Sequence, residues 1–129
     1  MKKNILLVDD DQVFHFLSTK VIKKMDFTDE IHTATNGREA LNVIADRFSG
    51  LKPLLDIIFL DINMPIMDGF GFIEAFKKLS VPQKEKIQIV IVTSSQDSTD
   101  IQRAKDLGIT HYLVKPISEN SIRSVLEST

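Results

Sequence analysis

Short apolar runs alternate with longer amphipathic stretches along this chain. Ile5–Val8, Ile57–Leu60 and Ile87–Val92 are near-continuous runs rich in Ile, Leu and Val. Such runs suit strands of a parallel sheet covered on both faces. Ile31–Thr35 alternates more and is polar, as an edge strand would be, and His111–Val114 is a short fifth candidate. Between the runs, apolar residues recur at helical spacing. Phe14, Leu17, Val21 and Met25 follow Asp11, and Ala40, Leu41, Val43 and Ile44 follow Asn36-Gly37. Phe72, Ile73 and Phe76 follow Asp68-Gly69, Ile101, Ala104 and Leu107 precede Gly108, and Ile122, Val125 and Leu126 follow Ser118. Asp11 and Ser118 are expected helix caps, Asp68-Gly69 a turn, and Gly108 a helix-terminating residue. Five strand–helix alternations predict an open, doubly wound α/β sheet.

Two connections are long, from about Phe48 to Leu55 and from about Ser80 to Lys86. Both lead from a helix into a strand, so they are expected at the N-terminal edge of the sheet, away from the ligand crevice of such folds. The length of 129 residues fits one domain spanning residues 1–129.

Polar residues follow four of the apolar runs directly. Asp9-Asp10-Asp11 follows Val8, Asp61-Ile62-Asn63 follows Leu60, Thr93-Ser94-Ser95 follows Val92, and Lys115-Pro116 follows Val114. In an open parallel sheet these strand ends converge on one crevice. Asp9, Asp10 and Asp61 would then be close carboxylates whose mutual repulsion raises at least one pKa. A divalent cation relieves that repulsion, and an oxygen-only donor set points to Mg²⁺. Lys115 would balance charge from the opposite side, and the Thr93 hydroxyl could donate to an oxyanion. Together these groups suit phosphoryl transfer by positioning and electrostatics, with Asp61 as nucleophile. Any one of these acids alone reads as a cap or turn residue; the set, in this order and period, is what carries the chemistry.

Composition narrows the partners. A net charge of −2 offers no basic excess for a phosphate backbone, which disfavours nucleic-acid binding by this chain alone. With no cysteine, thiol catalysis and thiolate metal sites are excluded. No apolar run is long enough for a membrane span, so a cytoplasmic location is expected. His15, His32 and His111 lack metal-ligand spacing; His15 is read as a partly exposed residue of the first helix, and Lys77-Lys78 and Lys84-Glu85-Lys86 as solvated faces. Met64 and Met67 read as loop-packing residues, and Phe14, Phe16, Phe72 and Phe76 as core or docking surface.

The segments Ile5–Asp11, Asn36–Leu41, Ile57–Gly69, Val90–Ser94, Ala104–Gly108 and Tyr112–Pro116 resemble the response-regulator receiver family of two-component signalling. The resemblance covers essentially the whole chain. It implies a flavodoxin-like sheet of order 2-1-3-4-5 with five helices. It also implies that Asp61 accepts a phosphoryl group from a sensor histidine kinase or a histidine phosphotransfer protein. Asp9, Asp10, Asp61 and the backbone carbonyl of Asn63 would hold Mg²⁺, with Asp9 acting through a bound water. Thr93 and Lys115 would contact the phosphoryl oxygens, Thr93 and Tyr112 would form the switch, and Asn63 and Ser95 would tune dephosphorylation. A cis peptide is implied between Lys115 and Pro116. The responsive face would be the fourth helix, fifth strand and fifth helix, roughly residues 97–128. No output domain follows in this sequence, so the implied outputs are an unknown downstream protein, a relay or a homodimer. The implied role is a switch, with self-dephosphorylation but no turnover of an external substrate.

Two other readings use the same residues. A haloacid-dehalogenase-like phosphatase also pairs a strand-end Asp with a Thr or Ser, a Lys and Mg²⁺. It needs a general acid two residues after the nucleophile, and Asn63 occupies that position. A phosphorylation-independent adaptor on the same scaffold would be expected to have lost an acid, the Thr or the Lys, yet all are present.

Overall fold

The computed structural model describes residues 2–50, 52–94 and 97–127. The strands are β1 (Lys3–Val8), β2 (Thr28–Ala34), β3 (Ile57–Leu60), β4 (Gln88–Thr93) and β5 (His111–Val114). The helices are α1 (Gln12–Met25), α2 (Gly37–Ser49), α3 (Gly69–Lys77), α4 (Ser98–Asp106) and α5 (Glu119–Glu127). All pairings are parallel, in the order β2-β1-β3-β4-β5. The expected topology is thus the observed one, with the polar β2 at an edge.

The near-continuous apolar runs are explained by burial on both faces. Leu6, Val8, Ile58, Leu60 and Ile91 belong to one core layer; Ile5, Leu7, Ile57, Phe59, Val90 and Val92 belong to the other. Period-two alternation within each strand supplies both layers. Side chains fix the helix starts: Asp11 accepts from the Val13 amide, Asn36 from the Glu39 amide, Asp68 from the Gly71 amide and Asp97 from the Thr99 amide. The Ser118 hydroxyl accepts from the Ser121 amide at the start of α5. After α4, Gly108 takes a positive φ of 86°, which a residue with a Cβ adopts only under strain. Among the described residues, no helix is long and apolar enough to cross a membrane.

Two expectations are corrected. The buried stripe of α1 is Phe14, His15, Ser18 and Ile22, whereas Leu17 is exposed. The helix is rolled relative to its apolar spacing, and polar His15 and Ser18 face inward. Second, residues 84–86 form a turn of 3-10 helix. Lys84 is not a solvated face: its ammonium donates to the carbonyls of Lys77, Leu79 and Phe76 at 2.5, 2.7 and 3.2 Å. It neutralises the carbonyl-rich end of α3, where cations are favoured. Lys84→Met should therefore cost about 1 kcal/mol; identical urea midpoints for variant and wild type would refute this. Arg47 is also buried, and its guanidinium donates to Glu30 at 2.9 Å and to the Pro53 carbonyl at 2.8 Å. It thereby ties the connection after α2 back to β2.

Candidate functional site

Sheet register builds the site. Val8 pairs with Leu60, so Asp9 and Asp61 leave the sheet side by side. The Asp61 amide donates to the Val8 carbonyl at 2.9 Å. Across β3, Leu60 pairs with Ile91, and Thr93 ends β4 two residues later. Thr93 pairs with Val114, so Lys115 follows one residue beyond, and its amide donates to the Thr93 carbonyl at 2.9 Å. The Lys115-Pro116 peptide is cis.

Carboxylate oxygens of Asp9, Asp10 and Asp61 lie within 4.8 Å of one another. Asp9 is 0% exposed and Asp61 7%, while Asp10 is open to solvent. The Asp9 carboxylate accepts from the Asp11 amide at 2.9 Å. Lys115 Nζ lies 2.5 Å from Asp9 Oδ2 and 3.8 Å from Asp61 Oδ2. It sits directly against the acids rather than across from them, because a buried charge needs a partner at contact distance. The ammonium also lies 4.7 Å from the centroid of the Phe14 ring, a cation–π contact.

Burial, aided by the neighbouring Asp9 charge, pushes the Asp61 carboxyl up to about 6, against the opposing pull of Lys115. A divalent cation fits this donor set: the ligands are all oxygen, they converge, and their repulsion is otherwise incompletely balanced. Thr93 is buried at the strand end. Tyr112 is half-buried against the core layer beneath α4, and burial, with Asp100 and Asp97 nearby, raises its phenol. Asn63 is exposed beside Asp61. Ser95 lies outside the described residues, as does Ser128 at the end of the expected responsive face.

The structure also brings in groups that the strand-end pattern did not reveal. Gly69 opens α3 so close to the site that a Cβ there would overlap the Asp61 carbonyl oxygen and stand 2.9 Å from Ile62 Cα. The Gly69 amide donates to the Ile62 carbonyl at 2.8 Å, which folds the loop back against β3. His15, expected to be partly exposed, is 6% exposed, and its Nε2 lies 2.6 Å from the Asp9 carbonyl oxygen. The available signal was its position in the first turns of the helix after Asp9, on the face that turns back toward the strand.

Comparison with known proteins agrees with this geometry. The family model for the response regulator receiver domain matches residues 5–127. Sporulation initiation phosphotransferase F of Bacillus subtilis is 31% identical over 127 residues, covering 98% of this chain and 93% of that protein. The probable chemotaxis protein CheY of Rhizobium etli is 28% identical, covering 98% and 92% respectively. A two-component response regulator from Cytophaga hutchinsonii superposes with a TM-score of 0.89 at 30% identity, covering 99% of this chain and 97% of that one. With its fold, its acidic crevice and these relatives in agreement, the chain belongs to the response regulator receiver domain family of two-component signalling.

Proposed function

We propose that Asp61 is the phosphoacceptor of this receiver domain and that Asp9, Asp10, Asp61 and the Asn63 carbonyl hold Mg²⁺. The observation that carries this reading is the convergence of Asp9, Asp10 and Asp61 under Lys115, around a carboxylate raised to about 6. Bound Mg²⁺ would supply positive charge against the carboxylates and the incoming phosphoryl oxygens. Asp61 attacks the phosphorus of a phosphohistidine on a sensor kinase or phosphotransfer protein. Its P–O bond forms as the donor's P–N bond breaks. Lys115, already 3.8 Å from Asp61, needs only a short movement to reach a phosphoryl oxygen. Thr93 donates its hydroxyl to another.

The product carries roughly −1.5 to −2 charges and three acceptor oxygens. Recruiting Thr93 and Lys115 to it biases a pre-existing conformation in which Tyr112 turns inward. Tyr112 lies on β5, with Asp97 and Asp100 of the adjoining α4 region near its phenol. The signal would leave through α4, β5 and α5 to a downstream protein or a second copy of the chain. Asn63, exposed beside the acceptor, leaves water a path to the acyl phosphate, and Ser95 would share that control. A carboxamide at Asn63 supplies no general acid, so turnover of external phosphomonoesters is not part of this reading.

Incubation with acetyl phosphate and Mg²⁺, borohydride trapping and peptide mapping tests the assignment. The label should fall on Asp61 and require Mg²⁺. Labelling at another residue, or equal labelling in chelator, would defeat it.

A further inference from the structure

The β1–β2 ladder ends at Val8 and Ala34. The Asp9 amide still bonds to the Ala34 carbonyl at 3.0 Å, but the Asp9 carbonyl has no strand partner beyond it among the described residues. Asp9 is 0% exposed, so this buried carbonyl needs a donor from the protein. His15 supplies one: Nε2 stands 2.6 Å from the oxygen, and the ring is itself buried. A carbonyl oxygen only accepts, so Nε2 carries the proton. The His15 ring also meets Phe14 edge-on, with centroids 6.0 Å apart, and Phe14 carries Lys115 over its face. The start of α1 therefore braces Asp9 and Lys115 together.

The Asp9 carbonyl and the Asp10 amide belong to one rigid peptide plane. Holding that oxygen fixes the plane, and with it the direction in which Asp10 leaves the strand end. The Asp10 carboxylate is exposed and makes no hydrogen bond among the described residues that would otherwise aim it. We propose that His15 is a positioning residue: through the Asp9–Asp10 peptide, it holds the Asp10 carboxylate toward Asp61, where a divalent cation would be bound. The inference rests on the Mg²⁺ site proposed above and extends it to a residue outside the ligand set.

Three variants test it. His15→Met keeps the bulk and removes the donor. His15→Gln places an N–H close to the Nε2 position, and His15→Asn holds its N–H one bond short of the carbonyl. Mg²⁺ titration of the unphosphorylated protein should show binding weakened roughly tenfold in His15→Met and His15→Asn and largely restored in His15→Gln. A role in packing alone would not restore affinity in order of donor reach. Wild-type affinity in His15→Asn, or equal weakening in Asn and Gln variants, would overturn the proposal; these two polar variants decide it should the methionine variant not fold. The ¹³C shift of the Asp9 carbonyl, read without metal, separates the two claims. It should move in His15→Asn and return in His15→Gln. If wild type binds no Mg²⁺, the site reading fails; an unmoved carbonyl shift defeats the bracing by itself.

Discussion

Asp61→Asn should take up no phosphoryl group from acetyl phosphate, and at pH 8 without Mg²⁺ it should be more stable than wild type by about 2 kcal/mol. The nucleophilic carboxylate becomes a neutral carboxamide, so loss of labelling is complete. The stability gain follows from the crevice's electrostatics. Burial and Asp9 raise the folded-state carboxyl to about 6, from an ordinary value of 3.8. Below the ordinary value, the group is protonated whether the chain is folded or unfolded, and it costs nothing. As pH rises from 3.8 toward 6, the unfolded chain ionises first, so the folded state binds the extra proton and loses stability. Above the raised value the penalty is fully present. The shift alone would correspond to about 3 kcal/mol, reduced here because the crevice opens to solvent. Asparagine is neutral throughout, so the advantage should be absent near pH 3.5, grow through the window and level off above it. Mg²⁺ should narrow the gap by stabilising wild type. Urea melts across this range check the prediction; equal midpoints at pH 8, or a gap that widens on acidification, would contradict it.

Gly69→Ala should destabilise the fold by about 3 kcal/mol, the upper part of the range for overpacking. The new methyl would meet the Asp61 carbonyl oxygen, Ile62 Cα and the Asp61 carbonyl carbon, the last two at 2.9 and 3.2 Å. All are backbone atoms of the loop that carries the acceptor, so relief means displacing Asp61 itself. Mg²⁺ affinity should fall along with the urea midpoint. Gly71→Ala is the matched control two residues along: its methyl would meet Met67 Cγ at 3.2 Å and Asp68 Oδ1 at 3.3 Å, side-chain atoms that can yield. Similar stability in the two variants would mean that the close approach at Gly69 is not what holds the loop.

The strand-end acids, Thr93 and Lys115 were legible because β-periodicity locates strand ends and a parallel sheet brings those ends together. β3 and β5 have the same bounds in the sequence pattern and in the structure. β2 begins earlier than its pattern, at Thr28, because pairing with β1 extends it through residues of little apolar character. Leu17 was misplaced for a related reason. Helical spacing identifies an apolar stripe but not which edge of it meets the sheet, and here the helix rolls to bury His15 and Ser18. Lys84 read as a solvated residue because its partners are backbone carbonyls at the end of α3, which side-chain patterns do not display.

The sequence by itself determined the α/β order, the two-sided burial of the strands and the oxygen-rich donor set at their ends. These follow from local periodicity and residue chemistry. Only the tertiary structure decided that Lys115 rests against Asp9, that Asp61 is raised by burial, that Gly69 must lack a side chain and that His15 supports the Asp9 carbonyl. Each of these depends on distances between segments far apart in the chain or on the roll of a helix, and such distances are set by packing the whole sheet rather than by any local run of residues.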